Sequence, residues 1–289
     1  MFEEFLQIDL PALLIVILAS IQCALLGSYL LLKKQAVMID AISHSVLPGI
    51  VAGAIFSGAL YMPAIIGGAL IAGLLAIFCV THLQIVQKIE YGAAIGITFT
   101  AFFSLGVILL ETQIDSRIHI DTQHVLYGAL ELTYWEQPLS LETMPTTIKT
   151  LFIMLCVTLI TIIFCFKEFT LTIFDPEYAA SRGYKQSAYT ALLYALCALA
   201  AVSCFQATGS ILIIALFVCP AACARLLTHN VKHQLIISSI IALLCAVTGY
   251  ILSAPLPLWL GIDTTLNSAA AIACLCGLSL IVTIIAHKS

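Results

Sequence analysis

The chain has 289 residues, 62% hydrophobic and 9% charged, with a formal net charge of −4 and a mean hydropathy of +1.13. An ordinary soluble domain carries about a quarter of its residues as charges, so these values exclude that class and indicate a polytopic membrane protein. They also exclude a nucleic-acid partner, because no basic run is longer than Lys33-Lys34.

The N-terminus, Met1-Phe2-Glu3-Glu4, is acidic and lacks the basic region of a secretory signal, so the first apolar run reads as a retained span. Windows of about twenty apolar residues place spans near 10–32, 41–58, 62–82, 91–110, 148–166, 187–207, 209–227, 234–252 and 265–286. The run at 41–58 is short and interrupted by Pro48, and reads as a full span or a partly re-entrant one. The expected fold class is therefore all-α: a single polytopic membrane helical bundle over residues 1–289, with eight or nine transmembrane helices. Spans 187–207 and 209–227 meet through Ala207-Thr208-Gly209 alone, a tight connection. A polar outer loop occupies about 111–147; its Tyr134 and Trp135 suit an interface anchor.

Between the first two runs lies Ile39-Asp40-Ala41-Ile42-Ser43-His44-Ser45-Val46-Leu47-Pro48-Gly49. In a helix, Asp40 and His44 project from one face, because they are four residues apart. Pro48 has no N–H to return to the His44 carbonyl, which leaves a free backbone oxygen beside a carboxylate and an imidazole. At membrane depth that set suits a divalent cation. The competing reading makes Asp40 an N-cap, assisted by Ser43, at the start of a helix just inside the surface. Depth decides between them.

Lysine and arginine set the expected orientation. With the N-terminus outside, Lys33, Lys34, Lys88, Lys167, Arg182, Lys185, Arg225, Lys232 and Lys288 fall on inner segments, against Arg117 and Lys149 outside. That split favours nine spans and a cytoplasmic C-terminus. On the inner side, Asp175 reads as an N-cap, Pro176 as the first helical residue, Glu177 as first-turn acid and Gly183 as the stop. This short helix is either a plain connector or a docking element for a cytoplasmic partner. Gly49 with Gly53, and Gly92 with Gly96, are spaced for close helix approach.

Weaker candidates follow the same logic. Asp115, His119, Asp121 and His124 either gather a metal at the entrance or are solvated loop residues. Cys219 and Cys223, four apart around Pro220, either bind a soft metal or fill a helix contact. The eleven cysteines all lie in or beside apolar runs, where they read as small packing residues. Glu90 reads as a helix-start carboxylate or an exit guide, and His82, His229, His233 and His287 sit at inner span ends.

Four stretches together resemble the membrane permeases of manganese/zinc/iron-type ABC transporters. They are Leu26 to Leu32 leading to the Asp40-Ala-x-Ser-His44-x-x-x-Pro48-Gly49 signature, Glu90 to Ile97, Phe174 to Gly183, and Gly209 to Arg225. The resemblance implies an importer in a bacterial inner membrane, with no permanently bound cofactor and Mn, Zn or Fe as cargo. It implies a cytoplasmic ATPase dimer that uses ATP, a second permease subunit and an extracytoplasmic metal-binding protein. Asp40 and His44 would face their counterparts across the pathway. Asp175, Pro176, Glu177, Ala179, Ala180 and Gly183 would belong to the coupling helix, about 175–183, that presses on the ATPase. Tyr91 departs from the family pattern, which has an acidic residue beside Glu90. No Gly-x-x-x-x-Gly-Lys-Ser/Thr loop occurs in the sequence, in keeping with a separate ATPase and a non-enzymatic chain. The rival readings are an ion-coupled secondary transporter, a permease for a siderophore or cobalamin chelate, and a membrane metalloenzyme. The last lacks a His-Glu-x-x-His pattern.

Overall fold

The computed structural model describes residues 7, 9–57, 62–113, 130, 133–135, 143–253, 257 and 267–288. Among these residues ten helices follow in order: α1 Leu10–Leu32, α2 Met38–Ser57, α3 Met62–Ile85, α4 Tyr91–Gln113, α5 Thr146–Phe164, α6 Phe166–Phe174, α7 Pro176–Ser181, α8 Gln186–Leu227, α9 Val231–Ser253 and α10 Ser268–Lys288. Among the described residues, nine stretches are long and apolar enough to cross a membrane, with α8 supplying two of them. The run containing Pro48 is one unbroken helix of 20 residues, long enough to span about 30 Å.

α8 counts twice because Gly209 leaves the helical region, with φ 74° and ψ 170°. A side chain would be strained there, and glycine is not. The contacts along α1 show what this break does. Lys33, just past the end of α1, bonds Thr190, while Cys23, higher up, lies 3.9 Å from Cys204, thiol to thiol. Phe217 then packs at the level of Gly27, between those two contacts. The chain has therefore turned back at Gly209, and the halves of α8 run antiparallel. The contacts along α1 continue in α9, where Ser238 bonds Ser28 and Tyr250 donates to Asp9 at the start of α1.

The ends of the bundle follow from this weave. Lys33 and the starts of α4, α8 and α9 share one basic end; Asp9, Tyr250 and Trp135 mark the other, where the Trp135 amide bonds the Gln7 carbonyl at 2.9 Å. α1 packs along α8 and α9, and α2 packs along α3 and α4. Phe56, Phe78 and Phe164 project outward, as lipid-facing side chains do.

The α2–α3 contact is backbone to backbone. A Cβ on Gly49 would fall inside the Gly68 carbonyl, and one on Gly53 inside the Ala64 carbonyl. α4 approaches α2 where Gly106 faces Leu47 and Pro48; a Cβ there would lie 2.9 Å from Leu47 Cγ. Such small-residue seams replace the hydrophobic drive that lipid removes. Gly92 and Gly96 differ from the sequence expectation: a Cβ on either meets nothing within 4 Å, so they make no close helix approach within this chain.

Candidate functional site

Asp40 occupies the third position of α2, not the position before it, so it is not an N-cap. Its amide N–H bonds the Val37 carbonyl at 3.1 Å. One turn on, His44 Nε2 lies 3.4 Å from Asp40 Oδ1, the one-face geometry that the spacing predicts. His44 is six residues into the helix, about 9 Å along its axis, and both groups lie within a candidate span near its basic end.

The imidazole is held by aromatic edges. Its ring centroid is 4.8 Å from Phe99 and 5.9 Å from Phe103, both nearly perpendicular, and the two phenylalanines stack at 5.9 Å. Sequence reasoning missed this pair. An aromatic repeat four residues apart on one helix was the available signal, but nothing in it names His44 as the contact. The Ser43 hydroxyl turns back to the Asp40 carbonyl at 3.1 Å. The side chains of Asp40 and His44 are 37% and 20% exposed, so this pair is open to a further partner. Among the described residues no group of three or more His, Cys, Asp or Glu side chains is arranged to hold a metal. Among the described residues the pair therefore offers two side-chain donors, a carboxylate and an imidazole, without a third His, Cys, Asp or Glu beside them.

The other sequence candidates separate. Asp115, His119, Asp121 and His124 lie outside the described residues. Cys219 and Cys223 are half-buried and buried within α8, with the Cys223 thiol 3.7 Å from Ser279 Oγ. Glu90 is exposed immediately before α4, its carbonyl accepting from the Ala94 amide. Tyr91 donates to the Gln35 carbonyl at 3.2 Å, tying the start of α4 to the α1–α2 turn. That gives the departure at Tyr91 a structural role.

The short helix is built as the sequence prescribes. The Asp175 carboxylate accepts the Tyr178 amide at 3.0 Å, and Pro176 opens the helix. Gly183, at φ 84°, stops it: its amide bonds the Ala180 carbonyl, and the Tyr184 amide reaches back to Ala179, both at 3.0 Å. This is a Schellman closure. Ala179 is fully buried and anchors the helix to the bundle, whereas Glu177, Tyr178, Ala180 and Arg182 are exposed. Arg182 stacks over the Tyr178 ring at 5.4 Å. Asp175→Ala should remove the cap and destabilise this helix by about 1 kcal/mol. Hydrogen exchange at the Tyr178 amide, accelerated several-fold in the variant, is the measurement.

Compared with known proteins, the chain matches the ABC 3 transport family over residues 4–286. It belongs to that family. It is 32% identical over 256 residues to the manganese transport system membrane protein MntD of Bacillus subtilis (strain 168), covering 88% of this chain and 85% of that protein. It is 32% identical over 252 residues to the zinc transport system membrane protein TroD of Treponema pallidum (strain Nichols), covering 84% and 66%. Among solved structures, PsaBC from Streptococcus pneumoniae in complex with Fab superposes with a TM-score of 0.75 at 28% identity, covering 94% of this chain and 89% of that one. Family membership and nine apolar spans together make this a multi-pass membrane protein.

Proposed function

We propose that the chain is the permease subunit of an ATP-driven importer that carries Mn²⁺, Zn²⁺ or Fe²⁺ across a bacterial inner membrane. The observation that carries this reading is the Asp40–His44 pair, 3.4 Å apart inside a candidate span, in a chain whose family relatives are named as manganese and zinc transport proteins. A carboxylate and an imidazole favour these ions over Mg²⁺ and Ca²⁺, which take oxygen ligands. A bare ion has more use for such donors than a large chelate does.

The remaining parts follow from the same reading. A second permease subunit brings its own donors to the half-open pair. The basic end faces the cytoplasm, as positive charge does. There the capped helix from Asp175 to Gly183 meets an ATPase pair through Tyr178, Ala180 and Arg182. An extracytoplasmic binding protein delivers the ion at the opposite face.

Metal content of the purified permease, wild type beside His44→Ala, tests the site. Stoichiometric metal in the wild type and its loss in the variant are expected; equal content in both removes His44 from the ligand set. Co-purification with an ATPase subunit tests the energy source. Proline at Ala180, in the centre of the exposed face, should abolish it, and uptake without any ATPase would establish the ion-coupled alternative.

A further inference from the structure

At the basic end, between the last turns of α3 and the first turns of α8, lies a groove of about 550 Å³. Its head is polar, with Lys33, Gln35, Gln84 and Thr190; below it the wall is largely apolar, with Leu74 and Phe78. Leu74 and Phe78 precede the end of α3 by eleven and seven residues, which sets them about 16 and 10 Å below it. They are 40% and 63% exposed, so the wall descends along the outer surface of a candidate span.

Lys33 is unusual for a surface lysine. Its ammonium donates to Thr190 Oγ1 at 2.7 Å and lies 5.5 Å from the centre of the Tyr194 ring. Among the described residues no carboxylate stands within salt-bridge distance of it. Burial lowers its pKa to about 8, the mark of a cation withdrawn from water without a counter-charge. A half-buried cation of this kind favours an anion in the same pocket.

We propose that this groove binds an acidic phospholipid, with the phosphate on Lys33 Nζ and an acyl chain along Leu74 and Phe78. The two halves of the groove select that occupant together. A free phosphate would satisfy the head and leave the apolar wall unused. A soluble acidic protein could offer a carboxylate, but it could not follow a wall that runs into the hydrocarbon layer. Basic pockets between membrane helices take acidic headgroups by the same physics.

The test is native mass spectrometry of the full-length chain in mild detergent, with phosphatidylglycerol and phosphatidylcholine of identical acyl chains. Wild type should retain phosphatidylglycerol about fivefold better, the discrimination expected of one lysine near a membrane surface. Lys33→Gln should bring the two lipids to parity, while Lys167→Gln, an exposed lysine at the same end, should leave the preference intact. Labelling of wild-type Lys33 by an acetylating reagent gives an answer that needs no variant. Phosphatidylglycerol should slow it and phosphatidylcholine should not. Equal retention or equal labelling with both lipids overturns the proposal, and is also the result if an acidic protein is the true occupant. Complete displacement of the lipid by inorganic phosphate overturns it in favour of a free anion.

Discussion

On the proposed function, Asp40→Asn and His44→Ala should each lower metal uptake by about 100-fold, because removal of a direct ligand costs at least as much as loss of its supporting shell. Among the described residues no third His, Cys, Asp or Glu side chain joins the pair, so neither loss has a side-chain substitute of that kind there. Radiolabelled Mn²⁺ or Zn²⁺ uptake into vesicles holding the reconstituted transporter is the measurement. Ser43→Ala is the matched control, since its hydroxyl is turned back to the Asp40 carbonyl and should change uptake little. Unchanged uptake in both Asp40→Asn and His44→Ala would remove the pair from the pathway. Phe99→Leu should have a smaller effect than either, because it loosens the imidazole without deleting a donor.

Gly49→Leu should be lost at the level of folding. Its side chain would have to enter the space held by the Gly68 carbonyl, and a backbone group on a packed helix has nowhere to go. Over-packing of this kind costs about 3 kcal/mol at the upper end of its usual range, a large share of a marginal stability. Gly92→Leu is the informative contrast. It has the same helical spacing to a second glycine, but open space around it, and it should fold as well as the wild type. Size-exclusion profile and thermal unfolding in detergent separate the two outcomes. A monodisperse, wild-type-stable Gly49→Leu would mean that α2 and α3 are not in backbone contact.

These two glycine pairs show where sequence reading ends. Spacing marked Gly49/Gly53 and Gly92/Gly96 alike, and only tertiary packing tells that the first pair meets Gly68 and Ala64 while the second meets nothing. The spans themselves were legible, because lipid demands long apolar runs whatever they pack against. Their starts were less so: the helices at Met38 and Val231 begin three residues ahead of the apolar windows, where helical hydrogen bonding outruns hydropathy. The short helix from Pro176 was legible to the residue, since its cap and its glycine stop are local signals. Asp40 and His44 were legible as a pair by periodicity. Their depth, and the phenylalanines some 55 residues onward that fix the imidazole, belong to the packing of α4 on α2.

The placement of Asp40 and His44 on one helical turn also limits how a captured ion could be let go. Rigid-body rocking of helices separates groups on different helices, but it cannot stretch a distance within a single turn. The backbone separation of the two residues is therefore set by the turn, and only side-chain rotation changes the distance between carboxylate and imidazole. On the proposed function, an ion held there is released by withdrawing donors that come from elsewhere, by turning the two side chains away or by admitting water.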